Sequence, residues 1–375
     1  METLTLRALK EQVGSQAEAF AVRVQLEQKK QKTTRSGSPF FELRWCDAED
    51  FLPQRIFESD PHFASLPDWS EGEAFEISGE WSRHETYGIE VRQWKPRRLR
   101  PSETEALFSG SAERSAFLAQ EWQAVRDLVD SLQDPRLRSL GQVFCEQFGD
   151  RFRRTAAART FHHARRGGLL EHVAQMMRAA DALTTAYPKL NRDLLLAGVL
   201  FHDCGKIWEN PVPQDGFAIG HSETGEMLGH ITIGIELVNK LWNGLLEAPA
   251  SQNWLTLDPP SEDVRRHLLH LVASHHGEHQ FGAPVVPKTP EAMALHYIDN
   301  LDAKMEMFRR AYQEGAPLTP KIHDRVYPLP GNSVVPLPSF LVAAKPAPER
   351  EAPSPDPDET PAEPHFFENE EELPL

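Results

Sequence analysis

The segment Leu194-Leu-Leu-Ala-Gly-Val-Leu-Phe-His-Asp-Cys-Gly-Lys206 is the most informative stretch of this chain. Its apolar part, Leu194 to Phe201, is too short to cross a bilayer and is typical of a buried helix. His202 and Asp203 follow at the end of that helix, where a buried histidine and a buried carboxylate need a partner such as a cation. Gly205 would let the helix end, and Lys206 lies three residues beyond Asp203, so that it would face the same site.

Histidines and aspartates of this kind recur between residues 172 and 299, mostly at the ends or edges of apolar helical segments. The set consists of His172, His202, Asp203, His230, His275, His276 and Asp299. Imidazole nitrogens and carboxylates suit Mn, Fe, Co, Ni or Zn better than Ca. A single histidine at a helix edge is more often an ordinary core or surface residue, but this set exceeds what one ion needs. Two ions about 3.5–4 Å apart activate water and stabilise the reacting oxygens of a phosphodiester, so the residues predict a two-metal hydrolase.

Helical periodicity surrounds these residues from about position 103 onward, where apolar residues recur every three or four positions. This pattern predicts an all-α domain over residues 103–335, with its core at 160–310. The segments with the clearest pattern are Phe117–Leu132, Leu137–Phe148, Leu194–Phe201, Ile231–Leu241, Val264–Ser274 and Pro290–Phe308.

The first 102 residues instead show short alternating runs that predict β-strands. Four or five short strands suit a small closed all-β barrel of the OB-fold type, a fold that binds oligonucleotides. Basic residues follow the first strand and would flank the binding groove: Lys29, Lys30, Lys32 and Arg35. Aromatic residues of the strands could stack on bases or could belong to the barrel core: Phe40, Phe41, Trp45, Trp81 and Trp94.

The tail, residues 336–375, is rich in proline and carboxylates and is predicted to be disordered. It carries about half of the net charge of −16, so the acidic total does not exclude a local nucleic-acid-binding surface. The three cysteines show no CxxC spacing, which argues against a disulfide framework or a zinc ribbon. Without an evident signal or membrane segment, we expect a cytoplasmic protein; whether it forms a homo-oligomer is left open.

Basic residues also crowd the approach to His172 and could guide phosphates from the barrel to the site. The residues predicted to contact nucleic acid here are Arg159, His163, Arg165 and Arg166, near Arg151, Arg153 and Arg154. The alternative is an ordinary charged helix face that Glu146 and Asp150 partly neutralise.

Four motifs resemble a known family. They are Gly167-Gly-Leu-Leu-Glu-His172, Leu228-Gly-His-Ile231, Ser274-His-His-Gly277 and Asp299-Asn-Leu-Asp-Ala-Lys304. The order His…His-Asp…His…His…Asp is similar to that of the HD-domain metal-dependent phosphohydrolases. The motifs most resemble the YhaM-type bacterial 3′→5′ exoribonucleases, in which an OB-fold precedes the HD domain. The resemblance covers about residues 10–310 and is strongest over 160–305; the tail and Cys204 depart from the family pattern.

The resemblance implies ligands for two divalent ions, with Mn²⁺ favoured over Co²⁺, Fe²⁺ or Mg²⁺. The first ion would be held by His172, His202, Asp203 and Asp299. Asp203 would bridge to the second ion, which His230 and His275 or His276 would complete. Asp203 and Lys206 would be catalytic, with the lysine stabilising charge on the phosphate. The implied reaction is the release of nucleoside 5′-monophosphates from the 3′ end of single-stranded RNA, or also of single-stranded DNA.

Two other functions fit the same residues. The first is a hydrolase of small nucleotides, such as dNTPs or cyclic dinucleotides, in which the barrel plays no part. The second is a nucleic-acid-binding adaptor with a degenerate metal site, although the full ligand set argues against it.

Overall fold

The N-terminal third of the chain folds as a β-sheet because its strands alternate apolar and polar side chains. The structure, a computed structural model, describes residues 1–34, 36–84, 88–159, 163–217, 219–247, 253–254 and 256–337. The strands of this sheet are β1 Glu2–Leu4, β2 Glu18–Thr33, β3 Pro39–Cys46, β4 Phe51–Phe57, β5 Ala74–His84 and β6 Gly88–Arg98. Helix α1, Leu6–Gln12, lies between β1 and β2, and its N-terminus is capped by the side chain of Thr5.

The long strand β2 organises the sheet, whose order is β4-β3-β2-β5-β6. Its first half pairs antiparallel with β5 and its second half with β3, while β1 pairs parallel with β2. Alternate residues point to one side and form the core of this domain: Val22, Val24, Leu26, Leu43, Trp45, Phe75, Ile77 and Trp81.

The predicted closure of this sheet into a barrel is wrong. Strands β4 and β6 are its two edges, and no pairing joins them in the described residues. The segment between β4 and β5 fills the gap with side chains. The ring of Trp69 stacks on Phe75, with centroids 4.6 Å apart, and Trp94 Nε1 donates a hydrogen bond of 2.9 Å to Asp60 Oδ2. The connection between β4 and β5 therefore contacts β5 and β6 through Trp69 and Asp60, and no strand pairing closes the sheet in the described residues.

Short strands at residues 317–334 depart from the all-α prediction for residues 103–335, but the predicted helical content is confirmed by the helices that follow the first sheet. They are α2 Pro101–Ser109, α3 Ala112–Asp130, α4 Pro135–Phe152, α5 Gly168–Ala186, α6 Arg192–Phe201, α7 Lys206–Glu209, α8 Glu223–Leu246, α9 Ser261–Ser274 and α10 Pro290–Glu314. Helix α6 is apolar on every side, so it is stable only when it is surrounded, and all residues from Leu194 to Phe201 are buried. It packs against α5, α9 and α10, and its C-terminal end therefore opens into the centre of the bundle.

Short strands follow α10: β7 Pro317–Thr319, β8 Ile322–His323 and β9 Ser333–Val334. The sheet and the helices lie within one unit, residues 1–333. The predicted disorder of the tail falls mainly on residues 338–375, which lie outside the described part of the chain. None of the described helices combines the length and the apolar character that a bilayer crossing requires.

The loop between α7 and α8 connects the sheet to the helices. The side chain of Gln25 on β2 is buried; its Nε2 donates to the carbonyl oxygens of Gly72 and Asp215, and its Oε1 accepts from the amide of Phe217 over 2.8 Å. The ring of Phe217 packs against Phe108, and both belong to an apolar cluster shared with β3. One glutamine thus satisfies backbone groups of two different domains.

A buried ion-pair network supports the N-terminal end of α5. The guanidinium of Arg165 donates to Glu171 and, over 2.6 Å, to Glu306 on α10, while Arg114 also pairs with Glu171. Burial alone would raise the pKa of Glu306, but hydrogen bonds and charges from Arg309 and Arg165 outweigh it and lower the pKa to about 2. Glu306 is therefore ionised in the folded protein at neutral pH.

Glu306→Gln is expected to destabilise the protein in a pH-dependent way. Because the folded pKa lies below the unfolded value, the stabilisation is complete above pH 4.5 and is lost as the pH falls towards 2. The shift corresponds to about 3 kcal/mol of unfolding free energy at neutral pH. Urea unfolding at pH 7 and near pH 2.5 measures this, and the gap between wild type and variant should shrink at the lower pH. Glu262→Gln, which removes an exposed partner of Arg265, is the control and should change little at either pH.

Candidate metal centre

The site begins at the C-terminal end of α6, where the chain places His202 and Asp203 inside the bundle. His202 is completely buried, and Asp203 is 2 % exposed. The Nδ1 atom of His202 donates to the carbonyl oxygen of Val199 over 2.7 Å, so its Nε2 atom faces away from the helix. The predicted buried histidine-carboxylate pair is therefore present in the structure.

Further imidazoles converge on this pair from α5, α8 and the end of α9. In each of these rings and in His202, Nδ1 forms a hydrogen bond with an acceptor on the side away from the centre. The acceptors are Asp302 Oδ2 for His172, Val199 O for His202, the Glu209 carboxylate for His230, Val272 O for His275 and Phe281 O for His276. An acceptor at Nδ1 requires a proton there, so each ring, when it is neutral, turns an unprotonated Nε2 towards the centre. This tautomer is the one that a metal ligand needs.

The carboxylate of Asp203 lies between two groups of imidazoles. Its Oδ2 atom is 3.3 Å from Nε2 of His202 and 3.8 Å from Nε2 of His172. Its Oδ1 atom is 3.5 Å from Nε2 of His230 and 3.6 Å from Nε2 of His275. Asp299 on α10 approaches the first group, with Oδ1 3.3 Å from His172 Nε2. The Asp203 carboxylate thus faces both groups of imidazoles, with Oδ2 towards one group and Oδ1 towards the other.

These residues fit divalent cations. The Nε2 atoms of His202, His230 and His275 and the Oδ1 atom of Asp203 are buried without a hydrogen-bond partner among the described residues. Leaving such groups unsatisfied is costly, and a cation would satisfy all of them. Ligands at about 2.1 Å from an ion lie roughly 3.0–3.4 Å from one another, close to the shortest separations seen here. His276 shares a group with His230 and His275, so both members of the doublet turn to the site.

Neighbouring charged groups outweigh the effect of burial on the pKa values of His172 and Asp203. Burial disfavours protonation of His172, but the carboxylates of Asp299 and Asp302 outweigh it and raise the pKa of His172 to about 9. Burial would likewise raise the pKa of Asp203, yet the charges of Lys206 and His202 hold it well below its ordinary value. Asp203 is therefore an anion inside the bundle, ready to act as a ligand.

Lys206 opens the short helix α7 and lies where the sequence predicts it. Its Nζ atom is 2.6 Å from Asp203 Oδ2, and the side chain is nearly buried. A cation at this position can stabilise the carboxylate or a phosphate beside it. Its catalytic role stays a prediction.

Two glycines allow the backbones to approach at the site. A Cβ atom on Gly205 would lie 2.0 Å from the carbonyl oxygen of His230, so α7 and α8 could not approach as closely with any larger residue. Gly229 has φ +68°, which interrupts α8 immediately before His230 and directs that imidazole inward.

Sequence reasoning assigned no role to two carboxylates of the site, although it placed Asp302 on roughly the same helix face as Asp299. Glu209 holds His230 through contacts of 3.0 and 3.1 Å to Nδ1, and it also accepts from the backbone amide of His230. Asp302 holds His172 over 2.7 Å and also contacts Nε2 of His163 over 3.0 Å. The available signal was spacing, since each lies one helical turn beyond a site residue, Lys206 or Asp299.

The arginines predicted to guide phosphates bind the protein itself. Arg166 donates to the carbonyl oxygens of residues 213, 214 and 216, and Arg165 is taken up by Glu171 and Glu306. Arg151 and Arg154 donate to the carbonyl oxygens of residues 207 and 212. The prediction for Arg165 and Arg166 is therefore corrected: they hold the loop after α7 and the start of α5.

The remaining residues of this predicted track lie near the metal centre. Arg159 donates to the carbonyl oxygen of Glu209 over 2.8 Å and is half-buried, so its phosphate contact stays a prediction. His163 is buried against Asp302, which gives it a supporting place beside His172 and corrects its assignment to nucleic acid.

The aromatic residues chosen as stacking platforms are also corrected. Phe41 and Trp45 are 5 % and 1 % exposed because they point into the core of the sheet domain. The opposite face of the same strands carries Phe40 and Phe57, whose rings stack with centroids 5.6 Å apart. Phe57, at the edge strand β4, is 48 % exposed.

Two of the predicted lysines lie next to this aromatic pair. Lys32 is paired in register with Phe40, and Lys30 with Glu42, so both lysines lie on the exposed side of β2 and β3. Lys32 forms an ion pair with Glu42. Lys29 instead donates to the carbonyl oxygens of residues 66, 67 and 69, which removes it from the groove, and Arg35 lies outside the described residues.

Comparison with known proteins finds a matching family within the helical part of the chain. Residues 169–304 match the HD domain family. The 3′-5′ exoribonuclease YhaM of a Geobacillus strain is 35 % identical over 56 % of this chain and 60 % of the relative. The YhaM protein of Bacillus subtilis is 35 % identical over 52 % of this chain and 56 % of the relative. That of Oceanobacillus iheyensis is 28 % identical over 81 % of this chain and 89 % of the relative. In the more similar relatives, the chain thus spans little more than half of their length.

Removal of the carboxylates behind the ligands is expected to weaken metal binding without removing a ligand. Glu209→Gln and Asp302→Asn should each lower the affinity for Mn²⁺ roughly 10–100-fold, because the imidazoles lose the acceptor that orients them. Metal content after gel filtration and a Mn²⁺ titration measure this. Glu226→Gln, an exposed acid on α8, is the control. Unchanged affinity in both variants would contradict the assigned roles.

Proposed function

We propose that this protein is a metal-dependent 3′→5′ exonuclease acting on single-stranded RNA, since residues 169–304 match the HD domain family and the chain is similar to YhaM 3′-5′ exoribonucleases. The observation that carries the proposal is the buried Asp203 carboxylate, which faces one imidazole group with each oxygen. Phosphatases and nucleases that use two metal ions have paired sites of this kind.

The first cation would be held by His172, His202, Asp203 and Asp299, and the second by Asp203, His230, His275 and His276. Divalent cations in such a pair lower the pKa of water and offset the charge of the phosphodiester during its cleavage. The protein's own groups prepare the site for them. Glu209 and Asp302 fix the tautomers of His230 and His172, so that no ring must reorient when an ion binds.

Lys206 supplies the positive charge that a phosphate needs beside the metal ligands. Its Nζ atom lies 2.6 Å from Oδ2 of Asp203, and the pKa of that carboxyl group is held well below its ordinary value. A phosphate oxygen entering the site could accept a second hydrogen bond from the same ammonium group. Lys206 would thus stabilise the phosphate during the reaction while it holds Asp203 in place.

The N-terminal domain would bind the strand as it leads to the metal centre. Its sheet, of order β4-β3-β2-β5-β6 with β1 beside β2, buries one face and leaves side chains of the other face exposed to solvent. The exposed aromatic pair Phe40–Phe57, with Lys30, Lys32 and Arg55 on neighbouring strands, offers what unpaired bases and phosphates need. The cysteines of the chain are free, as expected for the reducing cytoplasm that we propose as its location.

The reaction is tested with a 5′-labelled single-stranded RNA and Mn²⁺. The wild-type protein should shorten the label-bearing strand stepwise from its 3′ end, and Asp203→Ala should lose at least about 10³-fold in rate, because both metal groups depend on that carboxylate. Asp181→Ala, an exposed acid on α5, is the control and should keep its activity. An oligomer left intact by the wild type would favour the small-nucleotide alternative.

The role of the sheet domain is tested separately with Phe57→Ala. Loss of one stacked base should weaken the binding of a single-stranded RNA to the protein by roughly ten- to a hundredfold, whereas Phe57→Tyr should bind normally. Fluorescence anisotropy with the Asp203→Ala background measures affinity without cleavage. Phe117→Ala, which removes an exposed ring from α3, is the control. Equal affinity of the Phe57→Ala variant would exclude this face as the binding surface.

A further inference from the structure

The outward side of α10 carries a row of large apolar side chains that the metal centre does not use. The row, here called the α10 stripe, consists of Met293, Tyr297, Leu301, Met305 and Phe308. In the described part of the chain, these side chains keep 38–63 % of their surface exposed. Their spacing of four and then three residues keeps them on one side of a helix along about four turns. A soluble protein has no reason within its own fold to expose such a row.

The α10 stripe lies apart from the inward side of the same helix. Leu295 and Ile298 are buried in the helical core, and Asp299 and Asp302 point to the imidazole of His172. The stripe is therefore needed neither for packing of the domain nor for holding the ligands. A partner could cover it while the metal centre stays accessible.

The size of the α10 stripe decides what kind of contact it can make. Its five side chains together expose on the order of 500 Å², comparable with the largest apolar patches of monomeric proteins, which are often interaction sites. Two such stripes packed together would remove roughly 1,000 Å² from water, the lower limit for a specific interface. The side chains themselves are the types enriched at interface cores, with methionine and aromatic residues prominent.

We propose that the α10 stripe is the contact between two copies of this chain, which pack their α10 helices against each other around a two-fold axis near Leu301. The row from Met293 to Phe308 is straight and about 22 Å long, a shape that another helix fits better than a loop does. A two-fold interface uses the same surface on both copies, so one stripe suffices to build it. No further patch has to be assumed.

The charge within the α10 stripe selects the antiparallel arrangement. Lys304 lies beside Leu301 and Met305 and is exposed, so parallel helices would place the two Lys304 side chains next to each other. Antiparallel helices that cross at Leu301 instead bring Tyr297 of one copy against Met305 of the other. An aromatic ring beside a thioether is a favourable contact, and the like charges are kept apart.

The proposal is tested by the molar mass of the full-length protein in solution, measured by light scattering after gel filtration over a range of concentrations. We expect the wild type to have the mass of two chains. Leu301→Glu combined with Met305→Glu should raise the dimer dissociation constant at least about 100-fold and yield a monomer, because four charges would be buried in the contact. Tyr187→Glu, which places the same charge on an exposed aromatic position of α5, should leave the dimer intact.

A crosslinking variant tests the arrangement without disturbing the contact. Leu301→Cys should form a disulfide between copies on mild oxidation, since this residue lies on the proposed axis, whereas Tyr187→Cys should not. The wild-type protein, with two of its cysteines buried and one half-buried, provides the background. A wild type of one chain's mass, or a dimer that survives both glutamates, would overturn the proposal. Because each measurement concerns mass or crosslinking, the result does not depend on the proposed reaction.

Discussion

A negative charge buried at the end of an apolar helix is the constraint on which the rest of this structure depends. Helix α6 is buried on all sides, and it delivers Asp203 into the centre of the bundle. An unpaired carboxylate in such a place would be protonated or would destabilise the fold. Here the ammonium of Lys206 and the surrounding imidazoles keep it ionised. The arrangement of α5, α8, α9 and α10 follows from this need, since each brings a polar group to the same point.

Hydrogen-bond acceptors behind the imidazoles determine how the rings are oriented. The backbone carbonyls of residues 199 and 272 hold two of the rings, and the carboxylates of Glu209 and Asp302 hold two others. The ligand atoms are thus fixed by contacts that form during folding, before any ion binds. Glycines allow this layer to be compact, because Gly205 lets α7 approach α8 to within the space that a methyl group would fill. The site is therefore preorganised by ordinary packing.

The sequence predicted which histidines and aspartates come together in the bundle, because their signal is local. Histidines and aspartates at the ends of apolar helices have few explanations other than a shared cation, and the motifs around them are specific. Glu209 and Asp302 escaped notice because a supporting carboxylate in a helix resembles any surface acid. The arginines before α5 were misjudged for a different reason: their acceptors are carbonyl oxygens of a loop about 50 residues further along the chain, which no local pattern reveals.

In the sheet domain, a shift of one residue along a strand decides whether an aromatic side chain is buried or exposed. Successive residues of a strand face opposite sides, so Phe40 is outside while Phe41 is inside. Composition identified the aromatic strand but could not decide which ring meets solvent. Barrel closure was equally hidden, because it depends on whether the edge strands β4 and β6 pair with each other, which no local pattern reveals.

The loop after α7 connects the sheet domain to the metal centre. Gln25 fixes this loop to the sheet, Arg154 and Arg166 fix it to the helices, and Glu209 at its start holds His230. A rotation of the sheet domain would pull on the loop and so on the imidazole at its other end. The loop thus forms a continuous path of covalent and hydrogen bonds from β2 to the imidazole of His230.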